Sequence, residues 1–493
     1  MREYRLKLPR GWIATLPPDY LSLAIDASLI VGGHWWGGSK GLARGVAKDR
    51  TAPLDLRDAR LSDFARALAP AMLRIGGTEA DRIGYRVKMK WSATLGVEGG
   101  EGGGRAPEYL LEKRMWRRII DFSSRTGFPI LFVIGAGPAS RDETGAWDGG
   151  NAGKLIAHAA AKGLPVGAWE LGNEINGYPF VHGFKHRVRA SRYAQDFAAF
   201  SRMVRELHPA ARAVGPGSSV WPVIGELNPI LPAFARSGAL APGDVLSWHY
   251  YPLQSSRGAL ADRRAREGSL LSARRLDSAL GRSRAVRELA QGREIWLTET
   301  GHALYGGEPG LSDRHCSSLW WLDQLGLLAR EGVGKVFRQS LIGSDYGLLD
   351  EEGLEPRPDY YASLLWKRLM GGAVFEAPIV EGPDRRLRAY RHSSSRGDGS
   401  SCVLLINLSQ EPARAILDGR LRERYTVAPA EGLRSTRVLL NGVPVEEDLA
   451  LDWKTARPPR AYCAAENDGS EIVMPGYAYA FLIVELPSPR GRH

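Results

Sequence analysis

The sequence predicts an α/β fold: a (β/α)8 TIM barrel carrying a C-terminal β-sandwich that an N-terminal strand completes. Three observations lead there. Eight short apolar, β-prone runs recur between Leu21 and Leu341, separated by stretches long enough for helices, the alternation from which barrels and doubly wound sheets are built. Chemically active residues stand at or just past the ends of several runs, where a barrel places its active site, which favours closure over an open sheet. After Leu369-Met370-Gly371-Gly372 the texture changes to alternating strands and polar turns, the pattern of a sandwich.

In chain order, residues 4–15 alternate weakly through Tyr4, Leu6 and Leu8 to Trp12-Ile13-Ala14. They read as an edge strand that stops at Pro17-Pro18 and joins the sandwich, so residues 1–16 are assigned there. Residues 17–371 form the barrel. Its strands are Leu21–Asp26, Ala71–Gly76, Ile130–Ile134, Val166–Leu171, Ala211–Gly215, Val245–Tyr250, Ile295–Glu299 and Val336–Leu341. Between them Leu61–Leu68, Trp116–Phe122 and Leu319–Leu325 carry apolar residues three and four apart, as helices do. Residues 372–493 supply sandwich strands at Leu387–Tyr390, Cys402–Ile406, Arg437–Leu440 and Ala478–Glu485. The glycine-rich stretch Glu98–Gly104 reads as a flexible excursion, since it opens no phosphate-binding helix. Arg263–Arg293, with nine arginines, reads as a solvated helical face.

The bulk numbers bound the function. At 493 residues, 44% apolar and 25% charged, the chain has material for two folded domains rather than for disorder. Lysine and arginine exceed aspartate and glutamate by 66 − 55 = 11, so the surface field favours anionic partners: nucleic acid, anionic lipid or acidic polysaccharide. Cys316, Cys402 and Cys463 are too few and too scattered for a disulfide framework or a zinc site. The opening Met1–Lys7 lacks the apolar core of a signal peptide and no run of about 18 apolar residues occurs. The expectation is a cytoplasmic chain or an already trimmed exported one.

The chemistry rests on two carboxylates. Glu174 follows strand four and Glu299 ends strand seven. These strands face each other across a barrel mouth. Retaining glycoside hydrolysis needs an acid to protonate the leaving oxygen and a carboxylate to attack the anomeric carbon, about 5–5.5 Å apart. Position makes Glu174 the acid/base and Glu299 the nucleophile. Asn173 is placed to bond a sugar 2-hydroxyl. His249 and Tyr251 alternate on strand six, point inward and could orient the nucleophile. No second histidine stands at ligand spacing, so no metal is expected, and the chemistry needs no cofactor.

The same residues carry a resemblance. Glu170-Leu-Gly-Asn-Glu174, Trp296-Leu-Thr-Glu-Thr300 with Tyr305-Gly-Gly307, and Leu311-Ser-Asp313 with Trp321-Leu-Asp-Gln-Leu-Gly326 resemble the heparanase and β-glucuronidase family of retaining glycoside hydrolases. So do Ile25-Asp-Ala27, Leu73-Arg-Ile-Gly-Gly-Thr78, Arg338-Gln339, Tyr346 and Pro358-Asp-Tyr360. The resemblance implies a glucuronic acid unit at the cleavage site. It makes Tyr346 and the backbone amides of Gly306 and Gly307 the grip on the uronate carboxylate. Asp26, Thr78, Asn173 and Gln339 become ligands to sugar hydroxyls. One basic cluster, Lys113-Arg114 with Arg117-Arg118, resembles a heparin-binding stretch, and the short glycine-rich excursion implies a single chain that needs no excision. The expected partner is therefore an acidic oligo- or polysaccharide containing glucuronic acid, with no nucleic acid or membrane and with the protein a monomer. Endo cleavage of heparan sulfate or a related acidic glycan is the first expectation. Exo cleavage of terminal or small glucuronides is the second, and a non-catalytic acidic-glycan-binding protein the third.

Overall fold

A computed structural model describes residues 1–35, 49–87, 106–220, 225–226, 228–257, 266–445, 462–463 and 471–486. The glycine-rich excursion, Arg263, Arg264 and the side chain of Cys463 lie outside the described residues.

Eight parallel strands close into a barrel. In chain order, and called strands one to eight below, they are Leu21–Asp26, Leu73–Gly76, Ile130–Ile134, Val166–Leu171, Arg212–Val220, Val245–Tyr250, Ile295–Thr300 and Lys335–Gln339. Strand eight pairs with strand one, which completes the ring. Strand five runs on to Val220, past the turn-like Pro216-Gly-Ser-Ser219 at which the sequence suggests it stops. Its pairing with strand six shifts register between Gly215 and Ser218, the kind of bulge that often flanks active sites.

Period-two alternation sorts the barrel interior into layers. At the N-terminal end Met72, Leu131, Ala168, Val214, Val245, Trp296 and Phe337 form an apolar plug. One inward step up, Arg74, Glu170, Ser247 and Thr298 form a polar layer joined by hydrogen bonds. The step above that carries His249 and the two candidate acids. Helices cover the outside. Trp116, on the helix Lys113–Thr126, meets Phe132 of strand three edge-on at 5.3 Å and stacks over Trp169 of strand four at 6.5 Å.

Besides three two-stranded sheets, the described residues form two larger sheets outside the barrel. The larger runs Trp12–Thr15, Met370–Phe375, Leu387–Ser394, Ser401–Asn407, Tyr479–Glu485, Arg420–Pro429, Val438–Leu440 and Val443–Pro444, with Tyr462–Cys463 paired to Arg420–Pro429. The smaller runs Ile379–Glu381, Arg2–Leu6, Ala413–Leu417 and Glu471–Met474. The single edge strand expected over residues 4–15 is thus two strands, one in each sheet, because Pro9-Arg10-Gly11 breaks the ladder between them. Ser401–Asn407 shows why the larger sheet reads as continuously apolar: Val403 and Leu405 face the smaller sheet, while Cys402, Leu404 and Ile406 join the core shared with the barrel.

The arginine-rich segment, where described, forms short helices at Glu267–Leu270 and Ala273–Leu276 and a longer one at Ser278–Ala290, with Arg274, Arg282, Arg284 and Arg287 exposed. Arg114 and Arg117 are likewise exposed on their helix. Cys316 and Cys402 are buried free thiols. Among the described residues no helix is long and apolar enough to cross a membrane.

Candidate active site

The site is organised on Arg74, a fully buried arginine in the middle of strand two. Its Nε donates to Glu170 Oε2 at 2.8 Å, Nη1 to Glu299 Oε2 at 2.8 Å and Nη2 to Asn173 Oδ1 at 2.9 Å. Desolvation works against a buried guanidinium, but the attraction of Glu170 and Glu299 outweighs it and leaves Arg74 more firmly protonated than usual. The glycines after it make room. A Cβ on Gly76 would lie 2.7 Å from Arg74 Cζ, and one on Gly77, whose φ is +103°, would lie 2.2 Å from Asp26 Oδ2.

Glu174 occupies a left-handed backbone position, φ 50° and ψ 51°, uncommon for a residue with a side chain. Its N–H donates to Gly217 O at 3.0 Å, so the extended end of strand five holds the turn that carries it. Its Oε1 meets His249 Nδ1 at 3.1 Å. His249 Nε2 faces Arg74 Nη2 at 3.3 Å. His249 Nδ1 also lies 3.9 Å from Glu299 Oε2.

Glu299 reaches the centre because strand seven is irregular. The register with strand six skips from Leu297 to Glu299, and Thr298 turns inward beside it to donate to Glu170 Oε1 at 2.8 Å. Tyr251 OH donates to Glu299 Oε1 at 2.7 Å. Burial alone would push the Glu299 carboxyl up. The pull of His249 and Arg74, with hydrogen bonds from Tyr251 and Arg74, outweighs burial and holds it below the usual carboxylate range. A carboxylate oxygen of Glu174, one of Glu299 and a ring nitrogen of His249 all lie within 4.8 Å of one another. Three such donors could hold a cation, but the guanidinium already touching Glu299 supplies the counter-charge.

The remaining predicted residues stand on the neighbouring strand ends and the loops that follow them. Asn173 is buried; Arg74 takes its Oδ1, and its N–H donates to Asp81 Oδ2 at 3.2 Å. Burial pushes the Asp81 carboxyl up to about 6, against the N–H donors of Ala136 and Asn173. Asp26 accepts from Ser28 N at 2.9 Å and from Gln339 Nε2 at 3.3 Å. Thr78 is half-buried at the start of the turn Thr78–Arg82. Tyr305, Gly306 and Gly307 are successive left-handed residues. Gly306 O accepts from Asp345 N at 2.9 Å and Ser344 Oγ at 2.8 Å, which ties this loop to the one bearing Tyr346. Arg257 Nη1 donates to Gly307 O at 3.0 Å.

Two motif residues, Arg338 and Asp359, have structural work instead. Arg338 lies over the Trp320 and Trp321 rings and donates to Asp359 Oδ2 at 2.6 Å and Tyr346 O at 3.0 Å, anchoring the Tyr346 loop. Arg74 and Glu170 have no role in the sequence reading. The signal was present: a charge within each of two apolar strand runs, at positions that alternation turns inward.

A family model described as glycosyl hydrolase family 79, N-terminal domain, matches residues 33–326, more than half of the chain. The chain belongs to glycosyl hydrolase family 79. This family 79 glycosidase is 28% identical to heparanase of Gallus gallus, over 96% of its own length and 93% of the relative's. It is 27% identical to heparanase of Mus musculus, over 98% and 92%. It is also 26% identical, over 96% and 86%, to a Mus musculus protein named inactive heparanase-2. Solved structures share the architecture. A GH51 arabinofuranosidase from Xanthomonas axonopodis pv. citri superposes with a TM-score of 0.64 at 14% identity, covering 98% of this chain and all of that one. A 4-O-α-L-rhamnosyl-β-D-glucuronidase from Fusarium oxysporum 12S gives 0.63 at 14%, with the same coverage. At such identities the likeness is one of fold.

Proposed function

We propose that this family 79 glycosidase is a retaining β-glucuronidase that cleaves within heparan sulfate or a related acidic glycan. The observation that carries the mechanism is the approach of Glu174 and Glu299 to within 4.8 Å. Inverting enzymes need about 6.5–9.5 Å between the two carboxyl groups to seat a water, so so close a pair fits direct attack.

Glu174, the more exposed of the two, is the acid/base and Glu299 the nucleophile. In the first step the Glu174 carboxyl gives its proton to the glycosidic oxygen and the C1–O bond breaks. A Glu299 carboxylate oxygen bonds C1 from the opposite face. In the second step Glu174, now a carboxylate, takes a proton from water. The water oxygen bonds C1 and Glu299 leaves, so configuration is retained. Arg74 and Tyr251 favour the ionised nucleophile. With Oδ1 on Arg74, Asn173 offers Nδ2 to the 2-hydroxyl. Tyr346 and the amides of Gly306 and Gly307 grip the uronate carboxylate, while Asp26, Thr78 and Gln339 take the other hydroxyls. Neutral donors can hold that carboxylate without burying another arginine. The family names and the excess of 11 positive charges support an acidic glycan as substrate.

Glu299→Gln is expected to lower kcat on an aryl β-glucuronide by at least about a thousandfold. Full activity in that variant would remove Glu299 from the mechanism. Sizing the products from heparan sulfate separates the modes: shorter chains mark endo cleavage, glucuronic acid alone marks exo.

A further inference from the structure

The loop that leaves Glu174 carries a feature that the mechanism does not use. Phe180 and Phe184 are 50% and 76% exposed, and their rings meet edge-to-face with centroids 5.8 Å apart. Large apolar side chains displayed together on a soluble surface mark a contact site. Between Ile175 and Gln195 there is no acidic residue, but there are Lys185, Arg187, Arg189 and Arg192. With Arg141 these four line a groove of about 570 Å³ between the loops that follow strands three and four. Arg141 is paired with Asp196 and Arg187 with Asn228. Asp142 and Glu143 also line the groove: Asp142 is turned into its own loop by Thr144 and Ala146, and Glu143 is one exposed acid among the cations. Lys185 and Arg189 are exposed.

We propose that Phe180 and Phe184, with Lys185 and Arg189, form the subsite for anionic sugar units on the leaving-group side of the cleaved bond. This rests on the β-glucuronidase reading. Geometry supplies the side: Glu174 protonates the leaving oxygen, so the departing chain passes along the segment that emerges from Glu174. Phe180 lies six residues on, through the short helical turns Ile175–Gly177 and Tyr178–Val181. At 1.5–2.0 Å of rise per residue that is at most about 12 Å from the acid, within reach of the leaving sugars. An aromatic ring presents a flat apolar face to sugar C–H groups, and the cations beside it select units bearing carboxylate or sulfate. The occupant is therefore a glycan rather than an apolar aglycone, which would not need the charges.

The test compares two substrates in the full-length protein: an aryl β-glucuronide and a sulfated oligosaccharide that extends several units past the cleaved glucuronate. In Phe184→Ala, and further in the Phe180→Ala/Phe184→Ala double variant, the ratio of oligosaccharide to aryl kcat/KM should fall about tenfold, through KM. Lys185→Ala/Arg189→Ala should lower the same ratio, and less so as salt is raised. An unchanged ratio, or an equal fall on both substrates, overturns the subsite. So does a wild-type dimer that Phe184→Ala makes monomeric without changing the ratio, because the patch would then bind a second copy. Failure of the unsubstituted protein on both substrates would instead overturn the glucuronidase reading beneath it.

Discussion

Arg74 shows how a single buried side chain can set the state of a reaction centre. It spends its three kinds of N–H on Glu170, Glu299 and Asn173, so it fixes the nucleophile, its depth and the amide beside the acid together. Removing one partner of such a buried set costs more than the pair itself contributes, because a charge is stranded. Tyr251→Phe is the gentler probe. It deletes one bond to the Glu299 carboxylate and should lower kcat/KM by about ten- to a hundredfold. The sign on pH follows from that bond: it favours the ionised form, Glu299 already titrates below its ordinary range, and its loss must move the acid limb of the kcat/KM profile to higher pH. An unmoved limb would show that another group governs it. Glu174 and Glu299 were legible because each closes an apolar run with a carboxylate. Arg74 and Glu170 sit inside such runs, and their meaning appears only when alternation is applied to strands already closed into a ring.

Strands were legible as apolar runs, and five of the eight stand within one residue of their expected bounds at both ends. The irregularities that aim the catalytic groups were not. The bulge in strand five and the skipped residue in strand seven are properties of a pair of strands, invisible in either one. The apolar spacing predicts a helix over Leu319–Leu325; the helix runs His315–Arg330 and every residue from His315 to Ala329 is buried, because the barrel takes one face and the larger sheet the other. There Tyr390 lies over Gly326: a Cβ on Gly326 would sit 2.2 Å from the ring, and Tyr390 OH donates to Asp323 Oδ1 at 2.6 Å. Gly326→Ala would gain about 1 kcal/mol in helix propensity. Displacing the ring should cost about 2–4 kcal/mol, so the variant should be less stable in urea. Equal or greater stability would mean that Tyr390 moves aside freely.

For the molecule as a whole, the barrel was legible, but the boundary expected at residue 372 falls inside the strand Met370–Phe375 of the larger sheet, and the pairing of the first residues was only half legible. Arg2–Leu6 is an interior strand of the smaller sheet, parallel to Ala413–Leu417 and antiparallel to Ile379–Glu381. Deleting residues 1–8 would strip Tyr4, Leu6 and Leu8 from the second core and leave two strand edges open. The shortened protein should melt several degrees lower and aggregate on heating, which scanning calorimetry with light scattering would detect; an unchanged melting curve would make the strand dispensable. The same pairing sets a clock on synthesis. Arg2 finds its partner Ala413 only after 413 − 2 = 411 further residues are made, about 20 to 80 s at ordinary elongation rates of about 5–20 residues per second. Throughout that wait a strand-forming segment is exposed to every neighbouring chain. The alternation of Arg2, Glu3, Arg5 and Lys7 with Tyr4 and Leu6 then works as a temporary guard, since charge along an unpaired edge discourages premature pairing.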